Sequence, residues 1–158
     1  MISPDTFRAC MGRFATGVTV VTTRAGDQIH GMTVNSFTSV SLHPPLVLFC
    51  PNKLTRTLEL IREGGVFAIN VLAENQKDLC LRFAGMTELE DRFVGLTHQP
   101  GPASGCPLFD QALAHLECRK VDEREAGDHV IVVGEVIGLD YHDGRPLLFF
   151  SSGYPSLR

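Results

Sequence analysis

Between Gly31 and Leu42 the chain sets Thr33, Asn35, Ser36, Thr38, Ser39 and Ser41 among single apolar residues, with no charge in the run. A half-buried strand alternates polar with apolar side chains. Thr33, Asn35 and the adjacent Thr38 and Ser39 break that economy, supplying donors and acceptors without charge. Such a density of neutral hydroxyls and amides suits a flat ligand with many hydrogen-bonding edges, such as a flavin ring, better than a metal ion or a nucleic acid.

Three other places carry groups able to do chemistry. Asn52-Lys53-Leu54-Thr55-Arg56-Thr57 leads into a helix, and unpaired N–H groups at a helix start favour an anion. Lys53, Thr55 and Thr57 add a charge and two hydroxyls, so this is a candidate phosphate cradle; the plain alternative is an ordinary cap with a solvated basic flank. Arg82, before Phe83 near a helix end, either answers the C-terminal dipole or reaches a ligand phosphate. His129 follows the tight Gly127-Asp128 turn at the mouth of a long apolar strand. It is either a strand-end residue or one whose ring reaches a ligand at the rim.

Other chemistries lack their residues. The six histidines show no H-x-x-x-H or H-E-x-x-H spacing, so no metal site is expected. No nucleophile elbow, Walker loop or G-x-G-x-x-G turn is present, and the acidic residues are scattered. The run Glu88-Leu89-Glu90-Asp91 reads as a solvated loop or helix start.

The elements that must position these groups are mostly strands. Ser3 or Asp5 caps a short helix with Phe7, Met11 and Phe14 on one face, ended by Gly17. Val18–Thr23 is a β-branched strand, and beyond the Ala25-Gly26-Asp27 turn residues 28–42 form its antiparallel return. Residues 46–50 read as a strand buried on both faces. A helix through Glu63 stops at Gly64-Gly65, then come a strand over 66–72 and a helix over about 74–84 with Leu79, Cys80 and Phe83 on one face. Residues 98–107, with three Pro and two Gly, form a loop. Strands near 112–121, 129–141 and 146–151 follow, the last two joined at His142-Asp143-Gly144-Arg145 as a hairpin. Strands with a few inserted helices, without βαβ alternation, favour a closed or nearly closed antiparallel barrel.

Composition agrees with one soluble domain over residues 1–158: 44% hydrophobic and 20% charged residues are ordinary for a globular chain. A net charge of −4 leaves no electrostatic footprint for nucleic acid or an anionic membrane, and no apolar stretch is long enough to span one. With ten Phe, two Tyr and no Trp, the aromatics serve a core rather than a base-stacking surface. Five widely spaced cysteines and no targeting segment point to reduced thiols in a cytoplasm.

Taken in order, Phe14-Ala15-Thr16-Gly17-Val18-Thr19-Val20-Val21-Thr22-Thr23, the Gly31–Leu42 block with Pro44-Pro45-Leu46-Val47, Gly127-Asp128-His129 and the terminal Gly153-Tyr154-Pro155 give the chain its likeness. It resembles the flavin reductase family, the small reductase components of two-component flavin monooxygenases, over essentially its whole length. The resemblance implies a split antiparallel β-barrel of about six to seven strands with two to three short helices, binding FMN or FAD at a homodimer interface. It implies that Thr33, Asn35, Ser36 and Phe37 meet the isoalloxazine ring and ribityl chain, with Ser39 close by and Val34 standing where alanine is more usual. Cys50 would lie on the strand beside the ring. Lys53, Thr55 and Thr57 would bind the flavin phosphate, with Arg82 and Phe83 closing that side. His129 and Tyr154 would hold the nicotinamide of NADH or NADPH, and a separate monooxygenase would receive the reduced flavin. In such a scheme the protein orients two rings and supplies neutral donors; no residue is an obligatory nucleophile or base. The alternatives are a flavin-binding carrier without nicotinamide turnover, and a related split-barrel oxidase acting on another substrate.

Overall fold

A computed structural model describes residues 1–87 and 90–157; Glu88 and Leu89 of the acidic run lie outside them. Ser3 caps the first helix, α1 (Pro4–Met11), its Oγ accepting from the Thr6 amide at 3.1 Å. The helix stops at Gly12 rather than Gly17, because Thr16–Gly17 is already a short strand, β1. Phe7, Met11 and Phe14 are all exposed, and α1 buries no residue.

Seven strands make the main sheet: β2 (Thr19–Ala25), β3 (Gln28–Val34), β4 (Thr38–Leu42), β5 (Pro45–Phe49), β6 (Val66–Val71), β9 (Ala114–Ala126) and β10 (His129–Tyr141). Their order is β3-β2-β6-β9-β10-β5-β4, antiparallel throughout. The expected single return over 28–42 is therefore two strands, on opposite edges of the sheet. Only Asn35-Ser36-Phe37 joins them. So short a link spans at most about 14 Å even when extended, so the sheet must curl until its edges nearly meet. This is the split barrel expected from the sequence.

Two helices and two small ribbons cover the sheet. Helix α2 (Arg56–Gly64) ends at Gly65, whose φ of 71° is left-handed. Helix α3 (Lys77–Phe83) follows a 3-10 turn at Glu74–Gln76. Strands β7 (His98–Pro100) and β8 (Pro107–Phe109) pair, so the expected loop over 98–107 is a ribbon with the loop at its tip. The last strand, β11 (Leu148–Phe149), pairs with β1 and not with β10. The hairpin at His142–Arg145 is thus overturned; the hairpin lies at Gly127-Asp128, where Gly127 has φ 64° and Ala126 faces His129.

Two packed clusters follow from the curl. Inside the barrel lie Val21, Val34, Phe49, Phe67, Ile69, Val130 and Val132, with Leu58 and Ile61 of α2. Outside, Val18, Val20 and Leu72 pack against Cys80 and Phe83 of α3 and Phe109 of β8. The strands buried on both faces are consequently β2 and β6, which lie side by side in the sheet. In β5, expected to be so buried, Val47 and Phe49 are buried while Leu46 and Leu48 keep partial exposure. No helix among the described residues is long and apolar enough to cross a membrane.

His30 of β3 is half-buried against α2, its Nδ1 2.9 Å from the Thr57 hydroxyl. Burial, then the charges of Arg92 and Arg56, hold its pKa below the ordinary 6.5. The folded state thus disfavours the proton that the unfolded chain takes up, so this contribution is present above pH 6.5 and lost as pH falls through that value and the lower folded one. Urea midpoints measured from about pH 7 to about pH 5 should fall less steeply in His30→Gln than in the parent chain. Equal slopes would remove His30 as the cause.

Candidate functional site

The link between the two sheet edges lies at the centre of the site. Before it, Thr33 Oγ1 donates to the Cys80 carbonyl at 2.6 Å, pinning β3 to α3. Val34 turns its side chain into the inner core, and Asn35 is exposed. Ser36 Oγ accepts from the Cys50 amide at 3.0 Å and lies 3.3 Å from the Cys50 carbonyl, tying the link to the end of β5. Phe37 packs against the inner core, while Ser39 stands on the exposed edge strand β4 opposite Val47. Burial pushes the Cys50 thiol up, so it stays a neutral wall group.

Two cavities border several residues of this link and share Asn35, which also lines a third, of about 260 Å3, beside α1. One, of about 180 Å3, is lined by Val18, Thr33, Val34, Cys80 and Tyr154 among others. The other is a groove of about 520 Å3 between Met11–Gly17 and Asn35–Thr38. Thr16 lines the groove, and its Oγ1 is buried with no partner among the described residues. A larger cleft, of about 590 Å3, lies near Glu74, Gln111 and Arg145, but no sequence-predicted site residue lines it, and Arg145 is paired with Glu74 at 3.1 Å.

Beyond Cys50 the chain passes beside the start of β10. Asn52 forms an isolated bridge with His129, the Val130 amide donates to the Pro51 carbonyl at 2.9 Å, and the Lys53 amide to the Asp128 carbonyl at 3.1 Å. Ser36, Cys50, Asn52 and His129 are thereby linked through a chain of backbone and side-chain bonds. His129 Nδ1 is 2.8 Å from Asp128 Oδ1, and that bond holds the Asp128 carboxyl below its ordinary range. Lys53 Nζ pairs with Glu125 at 2.7 Å. Thr55 is the N-cap of α2 but makes no side-chain cap bond, its hydroxyl donating instead to the Asn52 carbonyl at 3.0 Å.

The remaining predicted residues stand apart from this line. Thr57 is fully buried, with its hydroxyl on His30. Arg82 Nη1 donates to the Val94 carbonyl at 2.7 Å, and Phe83 lies in the outer core against Phe93 and Phe109. Tyr154 borders the small cavity, beside Cys80, Phe149 and Lys77. No bond among the described residues joins it to His129. Thr16 and Cys80 line these cavities without being among the residues expected from the sequence. Thr16 had its place in the motif as its only signal, and Cys80 had none beyond helical periodicity.

The chemistry of this surface is that of a holder for a flat, polar ring. Its donors and acceptors are neutral, one buried hydroxyl lacks a partner among the described residues, and the groove falls in the ligand-pocket range of roughly 300–1,000 Å3. A flavin ring fits that description. The flavin reductase like domain matches residues 11–158, so the chain belongs to the flavin reductase family. It is 40% identical over 159 residues to the reductase subunit HsaB of a flavin-dependent monooxygenase from Mycobacterium tuberculosis, covering 99% of this chain and 83% of that one. With an NADH-dependent flavin reductase from Rhodococcus sp it shares 43% identity over 159 residues, 99% of this chain and 88% of the other. The crystal structure of BorF, the flavin reductase component of a bacterial two-component tryptophan halogenase, superposes with a TM-score of 0.92 at 38% identity, covering 98% of both chains.

Proposed function

We propose that this chain transfers hydride from NADH or NADPH to FMN or FAD and gives up the reduced flavin to a separate monooxygenase. The observation that carries the reading is the Thr33–Phe37 segment, whose uncharged polar groups border two cavities with Asn35 in common. The relatives' names, a reductase subunit and an NADH-dependent reductase, support the nicotinamide and the oxygenase partner.

When bound, the flavin supplies the electron acceptor. The chain's own part is to bind, orient and exclude water. Thr33, Asn35, Ser36 and the backbone of Val34 present hydrogen bonds to the ring, Phe37 and Cys50 back it, and Ser39 lies at its margin. Neutral donors suit charge that develops on the ring without fixing it in the ground state. Lys53 and Thr55 receive the phosphate, with Thr57 holding the first turn of α2 through His30. Arg82 and Phe83 brace the α3 side. His129 and Tyr154 orient the nicotinamide. A homodimer is supported by α1, whose Phe7 and Met11 have no cover, and by the exposed strand β4.

Steady-state oxidation of NADH and NADPH, each with FMN and with FAD, tests this reading. At least one pair should turn over, and its identity assigns the specificity. Quenching of flavin fluorescence without oxidation of either nucleotide would instead make the chain a carrier.

A further inference from the structure

Tyr154 reaches the small cavity on a tight loop, and what fixes it there is largely one residue. The loop closes through the Phe150 amide on the Gly153 carbonyl at 3.0 Å and the Gly153 amide on the Phe150 carbonyl at 2.9 Å. Ser151 and Ser152 both take positive φ, 50° and 63°. The tyrosine ring then lies under Lys77 Nζ, 5.1 Å from its centroid, and against Phe149 at 5.5 Å. Both are contacts on which a ring can slide and tilt at small cost. The hydroxyl has one directional partner among the described residues, the Cys80 Sγ at 3.5 Å. Cys80 is 1% exposed on α3, and its carbonyl accepts the 2.6 Å bond from Thr33.

We propose that Cys80 is a positioning residue, its thiol setting the Tyr154 hydroxyl, and its carbonyl Thr33, so that the nicotinamide side and the flavin side of the cavity keep a fixed separation. This rests on the proposed function, in which Tyr154 orients nicotinamide. The bond is weak but directional, where the ring's other contacts are soft. The Cys80 bond, then burial, push the Tyr154 phenol up to about 12, so the group remains a neutral hydroxyl.

The test compares Cys80→Ala, Cys80→Ser, Tyr154→Phe and the Cys80→Ala/Tyr154→Phe double variant in steady state, with thermal midpoints recorded for each. Tyr154→Phe keeps the ring and removes only the bond. It should raise the KM for the reduced nicotinamide about threefold to fivefold, leaving the KM for flavin and kcat within about twofold. Cys80→Ala should do the same, the double variant should be no worse than either single one, and Cys80→Ser should stay within about twofold of the parent. Multiplying effects in the double variant, a parallel rise in flavin KM, or an unchanged nicotinamide KM in Tyr154→Phe would each overturn the proposal. If Cys80→Ala does not fold, Tyr154→Phe and Cys80→Ser decide it by the same criteria. A parent chain that oxidises neither nucleotide overturns the proposed function itself, a separate result.

Discussion

His129→Ala is expected to raise the KM for the reduced nicotinamide about tenfold, with flavin affinity changed by less than about twofold. The expectation rests on how the ring is held. The turn at Gly127-Asp128 delivers His129 to the first position of β10, bridged to Asn52. Asp128 is a carboxylate at neutral pH like any ordinary aspartate, and its bond to His129 lowers its pKa further. An anionic acceptor at 2.8 Å calls for a proton on Nδ1, which leaves Nε2 free to meet a substrate group. Flavin contacts, by contrast, are assigned to the link between β3 and β4, which reaches His129 only through Ser36, Cys50 and Asn52. Removing the ring should therefore cost nicotinamide use first. Asp128→Asn should give a smaller effect in the same direction, as the orienting bond weakens but survives. Flavin and nicotinamide KM values that rise together in His129→Ala would return the residue to a structural role.

Asn70→Ala is expected to destabilise the fold by about 2–4 kcal/mol. Asn70 sits fully buried near the C-terminal end of β6. Its Nδ2 donates to the Val20 carbonyl at 3.1 Å, with Thr22 Oγ1 and the Pro107 carbonyl at 3.4 and 3.5 Å, while its Oδ1 accepts the Phe109 amide at 2.9 Å. Truncation strands the Phe109 N–H in an apolar interior and leaves a cavity between β2, β6 and β8. Phe109 packs on Phe83, and Phe83 and Cys80 share the outer core, so the loss runs toward the wall that Thr33 joins. Urea unfolding measures it directly. A loss below about 0.5 kcal/mol would mean that water or a relaxed β8 satisfies the amide.

Much of this architecture was legible because burial writes itself into periodicity. The β-branched run of β2, the helix stop at Gly65 and the Cys80–Phe83 face of α3 all follow from local patterns. What escaped the sequence was set by partners far along the chain. Strand β9 runs to Ala126 through Asp122-Glu123-Arg124-Glu125, which by composition reads as a loop. Its backbone pairs with the apolar β10, and its charges find partners off the strand, Glu123 with Arg62 and Glu125 with Lys53. The same hidden length moved the hairpin from His142–Arg145 to Gly127-Asp128. Likewise, nothing local in residues 28–42 says that the chain crosses from one sheet edge to the other at Asn35.

The site shows the same division. Thr33, Asn35 and Ser36 were conspicuous as polar groups without an alternation to explain them. The family likeness added His129, Tyr154 and the Lys53–Thr57 segment, which composition alone left open. Thr57 drew attention by its type, yet its hydroxyl is spent on His30, a pairing between β3 and α2 that no spacing reveals. Cys80 looked like one more core thiol, and its bonds to Thr33 and Tyr154 exist only once α3 is laid on the sheet.

The most direct test of hydride transfer on this protein is made without oxygen. Flavin and an equimolar reduced nicotinamide are mixed with a catalytic amount of the chain, and the flavin's visible absorbance is followed. The yellow colour should bleach as the nicotinamide is consumed one for one, far faster than without protein. Flavin that binds, as its quenched fluorescence would show, yet keeps its colour with both NADH and NADPH would contradict hydride transfer.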